Sequence, residues 1–210
     1  MRAVLIVIGL LGLTGCPGTV SHMNRLPESA ALTEPASINR SGPVVHEASG
    51  LEFAERYGDF QRVSASRFDE KGLDVGMGYN ERTSDCLIVS TFYVYPTPRM
   101  SFMGAAPEVV SSLESEWLTQ EFARSRAEVE HYHKLESPEV ARVTTQADGE
   151  TLGGAALTFR ERDTLGELRL FVYRHQWFLK YRFTWTRSCD PEARARLETL
   201  VGSMPWAVAE

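Results

Sequence analysis

The sequence lacks the short motifs on which several large enzyme classes depend. No G-x-S-x-G nucleophile elbow, H-E-x-x-H zinc helix or G-K-S/T phosphate loop occurs in the 210 residues. The carboxylates are scattered through expected helix faces and turns, so no pair can be assigned as general acid and base. The sequence therefore predicts no motif-based enzyme, no cofactor and no metal site.

An excess of positive charge is also missing. The chain has 22 lysines and arginines against 28 aspartates and glutamates, a formal net charge of −6. Non-specific binding of nucleic acid depends on basic side chains that neutralise phosphates. We therefore expect no nucleic-acid partner.

The amino terminus carries an apolar run that is too short for a membrane span. Residues 3–13 are apolar apart from two glycines and follow the positively charged start Met1-Arg2. A spanning helix needs about 20 apolar residues, whereas a signal-peptide core needs about 7 to 15. The run therefore predicts an export signal.

The apolar run ends in Leu13-Thr14-Gly15-Cys16, which resembles the lipobox of bacterial lipoproteins. The resemblance implies that residues 1–15 are a signal peptide and that lipidated Cys16 becomes the first mature residue. Two or more acyl chains anchor a protein stably to a membrane. The expected location is the cell envelope, lipid-anchored and facing the periplasm or exterior. The alternative is an ordinary signal peptide with a chance cysteine.

Two cysteines remain when Cys16 is assigned to the lipid. Cys86 and Cys189 form an even pair in a chain expected to reach an oxidising compartment. A disulfide between them would close a loop of roughly a hundred residues and, by chain entropy, stabilise the fold by about 4 to 5 kcal/mol. The alternative is two separate buried thiols.

The chain after Cys16 divides into a tether and one domain. Residues 17–50 are rich in Pro, Ser, Gly and Ala and show no lasting periodicity, so residues 16–50 are predicted to be a lipidated, flexible tether. Residues 51–210 suit one domain with one core.

Apolar periodicity within the domain predicts an α+β fold. Strands are expected over 60–68, 73–79, 86–95, 140–145, 155–162, 167–174 and 177–185, with a long helix over 107–133 and a short one over 191–201. The last strand has the clearest alternation: Trp177, Leu179, Tyr181, Phe183 and Trp185 share one face. We expect an antiparallel sheet of about six or seven strands with both helices packed on it.

The element order is similar to that of the Mog1/PsbP-like fold. In addition, Asp74-Val75-Gly76-Met77-Gly78-Tyr79-Asn80 and Tyr93-Val94-Tyr95-Pro96 resemble phrases of a family of uncharacterised bacterial exported proteins. This second resemblance covers most of the domain and implies no known activity. Gly76 and Gly78 are interpreted as a bulge or a close backbone approach rather than a dinucleotide loop.

Five histidines are present, and none forms a ligand pattern. His131 and His133 are two residues apart near the end of the long helix, where they point away from each other. They are expected to be solvated. His175 lies in a predicted turn and has no partner in the sequence.

Two rows of basic residues are the strongest candidates for a binding surface. Thr158, Arg160 and Arg162 share one strand face, and Lys180, Arg182 and Thr184 share another. If both rows lie on one side of the sheet, they form a stripe for an anionic envelope component or a protein partner. The alternative is an ordinary solvated sheet face balanced by neighbouring glutamates.

Together these features predict an envelope lipoprotein whose domain is a non-enzymatic binding or interaction module. Two alternatives stay open. One is an enzyme whose site is assembled from scattered residues. The other is a small-ligand carrier, which needs an apolar cavity between the sheet and the long helix.

Overall fold

The computed structural model describes residues 26–38, 41–98 and 105–207. In this part of the chain the elements are β1 (Ala31–Ser37), β2 (Val44–His46), β3 (Leu51–Phe53), β4 (Arg56–Tyr57), β5 (Phe60–Asp69), β6 (Val75–Arg82), β7 (Leu87–Pro96), α1 (Pro107–Tyr132), β8 (Glu136–Ala147), β9 (Glu150–Glu161), β10 (Thr164–Tyr173), β11 (Trp177–Thr186) and α2 (Asp190–Gly202). This confirms the α+β class.

One antiparallel sheet organises the molecule. Its strand order is β1-β5-β6-β7-β11-β10-β9-β8, β4 adds to β5, and β2 and β3 form a separate pair. The seven strands expected from the sequence correspond to β5 to β11. Strands β7 and β11 are neighbours although α1 and three strands separate them in sequence. The two halves of the chain therefore meet at the centre of the sheet.

Strands β1 and β2 lie within the segment that we expected to be a tether over residues 16–50. Ala31 of β1 pairs with Asp69 of β5, and Val44 and His46 of β2 are buried. The ordered domain therefore begins before residue 51. Such short strands show no clear apolar period in the sequence. Their prolines and small residues are poor strand formers, and most of their packing comes from the strands with which they pair. Cys16 and the residues up to 25 lie outside the described range.

The larger core lies on the face of the sheet that α2 covers. The alternation in β11 directs its five expected aromatic and aliphatic side chains to this face, where all are buried. Leu197, Leu200 and Val201 of α2 and the following Trp206 pack against them. The strand period predicted from the sequence thus gives the correct core face.

A smaller core lies on the opposite face, beneath α1. Trp117, Phe122 and Val129 of the helix belong to the same buried cluster as Leu168 of β10 and Phe178 of β11. Other members of the cluster are Tyr95, Leu157, Phe159 and Leu170. Since these sheet residues alternate with those of the α2 face, both surfaces of the central strands are covered.

Cys86 and Cys189 lie at disulfide distance, with 5.8 Å between their Cα atoms. Cys86 immediately precedes β7, and Cys189 immediately precedes α2. The pairing predicted from the sequence is confirmed, and it joins the start of α2 to the central strands.

No helix in the described ranges is long and apolar enough to cross a membrane.

Candidate functional site

A cleft of about 280 Å³ lies between the second half of α1 and the sheet. Six elements or their flanks contribute to it: the end of β5, the residue before β6, β7, α1, β10 and the central part of β11. Its principal polar residues are Asp74, Tyr93, Tyr95, Glu128, Lys180 and Arg182. We call this the α1 cleft.

Strand alternation places these side chains on one face. Because Tyr181 points into the α2-side core, Lys180 and Arg182 point to the α1 side. Tyr93 of β7 is directly opposite Lys180. Asp74 lies two residues before Gly76, which pairs with Tyr93, and so has the same orientation.

Gly76 is needed for the packing of the cleft wall. A Cβ atom at this position would lie 3.0 Å from Cε2 of Phe68 and 3.2 Å from the Tyr93 ring. The missing side chain lets the two rings approach to 5.9 Å between centroids. The close approach expected at the glycine pair is confirmed, since a Cβ at Gly78 would also lie 2.2 Å from Ser64 Oγ.

Lys180 is a largely buried cation. Its side chain is 13 % exposed, and its Nζ lies 4.8 Å from the Tyr93 ring centroid and 5.3 Å from that of Tyr95. The nearest carboxylate oxygen, on Glu128, is 3.9 Å away, which is too long for a hydrogen bond. Burial lowers the pKa of Lys180, against the opposing effect of nearby carboxylates. The cation–π contacts offset part of its desolvation.

Asp74 is the complementary anion in the α1 cleft. Burial raises its pKa from the ordinary 3.8 to about 6, although the charge of Lys180 acts in the opposite direction. Its backbone N–H donates to Asp69 Oδ1 at 3.0 Å. No described residue donates a hydrogen bond to its carboxylate, and none accepts one from Lys180 Nζ.

The wall formed by α1 is fixed by a hydrogen-bond network. Tyr95 Oη donates to Glu121 Oε1 at 2.7 Å, and Glu121 also accepts two hydrogen bonds from Arg124. Burial, followed by the charge of Glu121, raises the pKa of Tyr95, which keeps its hydroxyl protonated. The network links α1 to β7 beside the Lys180 ammonium.

A second network positions Arg182. Its Nη2 lies 2.7 Å from His133 Nε2, and His133 Nδ1 lies 2.7 Å from Glu161 Oε2. Because a guanidinium can only donate, His133 accepts through Nε2 and donates its Nδ1–H to Glu161. The hydrogen bond from His133 lowers the pKa of the Glu161 carboxyl. His133 is therefore a positioning residue, which corrects the expectation of a solvated helix-end histidine.

The two basic rows lie on opposite faces of the sheet. Thr158 pairs with Glu167, which pairs with Phe183 on the α2 side. Leu168, on the α1 side, pairs with Arg182. The continuous stripe predicted as one possibility from the sequence therefore does not form. Across the sheet, Thr158 lies in line with Phe183, and Lys180 and Arg182 alternate with Phe183 along β11.

The four basic binding candidates are accordingly separated. Lys180 and Arg182 line the α1 cleft. Arg160 is exposed and points to the other side, and Arg162 occupies the turn after β9 with a positive φ of 53°. The structure thus brings together only the β11 pair.

The other described histidines, His46, His131 and His175, belong to no metal site. Among residues 26–38, 41–98 and 105–207, no group of three or more His, Cys, Asp or Glu side chains is arranged to hold a metal ion. Exposed His175 contacts Glu114 through Nδ1, so it has a partner on α1 that the sequence did not indicate. His46 is buried beside Ser49 Oγ and lacks the open surface that a catalytic dyad needs.

A larger depression of about 1010 Å³ borders the first half of α1. All of its described lining residues belong to that helix, including Ser111, Ser115 and Thr119. Convergent polar groups from several elements are the usual mark of a ligand site. The α1 cleft meets that criterion, whereas this depression does not.

No family model matches the chain, and no curated protein matches it. The candidate site therefore rests on its own geometry. Sequence reasoning found Lys180 and Arg182 but missed Asp74, Glu128 and His133. One sequence signal did point to the cleft. Asp74 belongs to the first of the two family-like segments quoted above, and Tyr93 and Tyr95 belong to the second. Because the two tyrosines are two residues apart in a strand, they lie on one face.

Proposed function

We propose that this chain is an exported bacterial lipoprotein, acylated at Cys16, whose extracytoplasmic domain is a ligand-binding module. The lipobox-like Leu13-Thr14-Gly15-Cys16 supports the anchor. The Cys86–Cys189 pair supports an oxidising compartment, because disulfides persist mainly outside the cytosol. The ligand is a small component of the envelope, held in the α1 cleft.

The observation that carries the binding role is the pair of unsatisfied charges in the α1 cleft. Lys180 is 13 % exposed and Asp74 is partly buried, and neither side chain has a hydrogen bond from the described residues; the nearest partner of Lys180 is Glu128, at 3.9 Å. Partial burial of a charged group without a hydrogen-bond partner is unfavourable. A bound ligand supplies the missing partners, which explains why a fold would keep both groups there.

An enzyme is the second candidate, and one observation favours it. The α1 cleft holds a carboxyl group whose pKa is raised to about 6 and a lysine whose pKa is lowered. Clustered groups with perturbed pKa values are typical of acid–base chemistry. Turnover of a substrate from a hydrolase or lyase panel by the purified chain, abolished by Lys180→Met, would favour this reading over binding alone.

Metabolic labelling tests the anchor. Cells expressing the tagged full chain are fed an alkyne fatty acid, and the wild type is compared with Cys16→Ser and with the neighbouring control Pro17→Ala. We expect the wild type and Pro17→Ala to carry the label and to fractionate with membranes. Label on Cys16→Ser, or an unlabelled wild type, contradicts the proposal.

Native mass spectrometry tests the binding role. The full chain is extracted in mild detergent as wild type, Lys180→Met and the control Arg160→Met, whose side chain lies on the other face. We expect a small-molecule adduct on the wild type and on Arg160→Met, and its loss from Lys180→Met. An adduct retained on Lys180→Met, or bare wild-type protein, contradicts binding in the α1 cleft.

A further inference from the structure

The charges around the α1 cleft are of both signs. Lys180 and Arg182 supply cations from β11, and Asp74 and Glu128 supply anions from the loop before β6 and from α1. Arg124 also lines the cleft, but its guanidinium is already paired with Glu121. Lys180 and Glu128 are 3.9 Å apart and share no hydrogen bond, so two cations and two anions keep hydrogen-bonding capacity for a ligand.

The geometry leaves hydrogen-bonding capacity at each sign of charge. The Lys180 ammonium has three N–H donors, and no described residue accepts a hydrogen bond from it. The Asp74 carboxylate has two acceptor oxygens, and no described residue donates to it. A ligand that satisfies only one of them leaves the other desolvated.

The occupant must be small. A volume of about 280 Å³ lies just below the typical range of ligand pockets, which is about 300 to 1,000 Å³. The rings of Tyr93 and Tyr95 are partly covered by the Lys180 ammonium, so a stacked sugar ring does not fit the arrangement well. A compact molecule that contacts charged groups on opposite walls fits it better.

We infer that the α1 cleft binds a small zwitterion of the amino-acid class, with its carboxylate at Lys180 and Arg182 and its ammonium at Asp74 and Glu128. A simple anion would satisfy Lys180 but be repelled by the two carboxylates. A simple amine would satisfy a carboxylate but be repelled by Lys180 and Arg182. This inference rests on the proposed binding function and specifies its ligand class.

Arg182 is prepared for this role before any ligand arrives. Its contact with His133, which Glu161 holds from the other side, fixes the guanidinium at the rim of the α1 cleft. An arginine held in place loses less side-chain entropy when it binds a carboxylate. The network thus serves to orient the cation that receives the ligand.

The test uses the full chain in detergent and compounds that block one charge at a time. Thermal-shift assays against each of the twenty common amino acids identify the best ligand. Calorimetry then compares that amino acid with its N-acetyl derivative, which lacks the ammonium, and with its amide, which lacks the carboxylate. We expect each blocked form to bind about tenfold to a hundredfold more weakly, as loss of a charged hydrogen bond implies.

Two variants assign the contacts. Lys180→Met should distinguish the amino acid from its amide several-fold less well than the wild type does, and Asp74→Asn should distinguish it several-fold less well from the N-acetyl form. Arg160→Met, on the opposite face of the sheet, should bind like the wild type. The comparison of derivatives on the wild-type chain needs no variant, so a variant that fails to fold leaves the test intact.

Several results would overturn the inference. They are the absence of any thermal shift with all twenty amino acids, equal affinity for the blocked derivatives, or unchanged discrimination in folded variants. A non-zwitterionic adduct in the native mass spectrum would also overturn it but leave the proposed binding function standing. Bare wild-type protein there, with no amino-acid binding, would overturn both.

Discussion

Tyr181 and Trp206 stack nearly face to face, with 5.3 Å between their ring centroids and 14° between their planes. Tyr181 belongs to β11, and Trp206 follows the end of α2. Phe92 of β7 completes the contact, with its ring centroid 5.7 Å from that of Trp206. The described segment after α2, residues 203–207, is therefore a structural part of the core.

Trp206→Ala is expected to destabilise the fold by about 3 to 5 kcal/mol, because removal of a fully buried indole leaves a large cavity. Denaturant unfolding followed by circular dichroism measures the change. Tyr132→Ala is the control: this ring is 71 % exposed, and its loss should change stability by less than about 0.5 kcal/mol. Equal effects of the two substitutions contradict the assignment of Trp206 to the core.

Reduction of the Cys86–Cys189 pair is expected to lower the free energy of unfolding by about 2 to 5 kcal/mol. The pair closes a loop with a sequence separation of 103, and opening it enlarges the unfolded ensemble. Guanidinium unfolding with and without reductant measures the loss. The double variant Cys86→Ser/Cys189→Ser should be insensitive to reductant, and a shift of its midpoint would show that the effect arises elsewhere.

Two adjacent glycines of β9 should respond differently to alanine. A Cβ at Gly154 would lie 2.4 Å from both Leu170 O and Phe171 Cδ1, whereas a Cβ at Gly153 has no atom within 4 Å. Gly154→Ala is expected to destabilise the fold by about 1 to 3 kcal/mol through overpacking. Gly153→Ala should be neutral or stabilise it by up to about 1 kcal/mol, because it restricts the unfolded chain. Thermal unfolding of the pair checks this, and similar melting points contradict the packing.

The fold could be predicted from the sequence where period and burial agree. In β11 every second side chain is aromatic or aliphatic, and those five side chains are the buried ones. β1 was missed because its residues are mostly exposed and its pairing with β5 comes from a distant segment. The alternation of apolar and polar residues therefore predicts a half-buried strand, but it does not predict an edge strand whose residues are mostly exposed.

The candidate site could be predicted only in part. The alternation in β11 predicts that Lys180 and Arg182 lie on the face opposite the aromatic side chains, where they meet water or a partner. Its burial under α1 depends on a helix some fifty residues away, so no local pattern indicates it. The predicted stripe that joins Arg160 to Arg182 was wrong, because the register between strands decides which face of the sheet each row occupies, and the sequence does not show that register.

Asp74 should make the stability of this protein depend on pH. Its pKa is about 6 in the folded chain, raised by burial from the ordinary 3.8, which we take for the unfolded chain. The folded state therefore binds the proton more tightly, and this contribution is fully present below pH 4. It is lost as the pH rises through 6, with a total change of about 2 to 3 kcal/mol. The charged groups facing Asp74 are Lys180 from β11, Asp69 from β5, and Arg124 and Glu121 from α1.

Asp74→Asn isolates this effect, because the amide is neutral at every pH and nearly the same size. Relative to the wild type, the variant should gain stability between pH 4 and pH 7, measured by urea unfolding at a series of pH values. Asp59→Asn replaces an exposed carboxylate, so its difference from the wild type should stay nearly constant over this range. Parallel pH profiles for the wild type and Asp74→Asn would mean that Asp74 is solvated in the folded chain. The α1 cleft would then lack the buried carboxylate on which the zwitterion site depends.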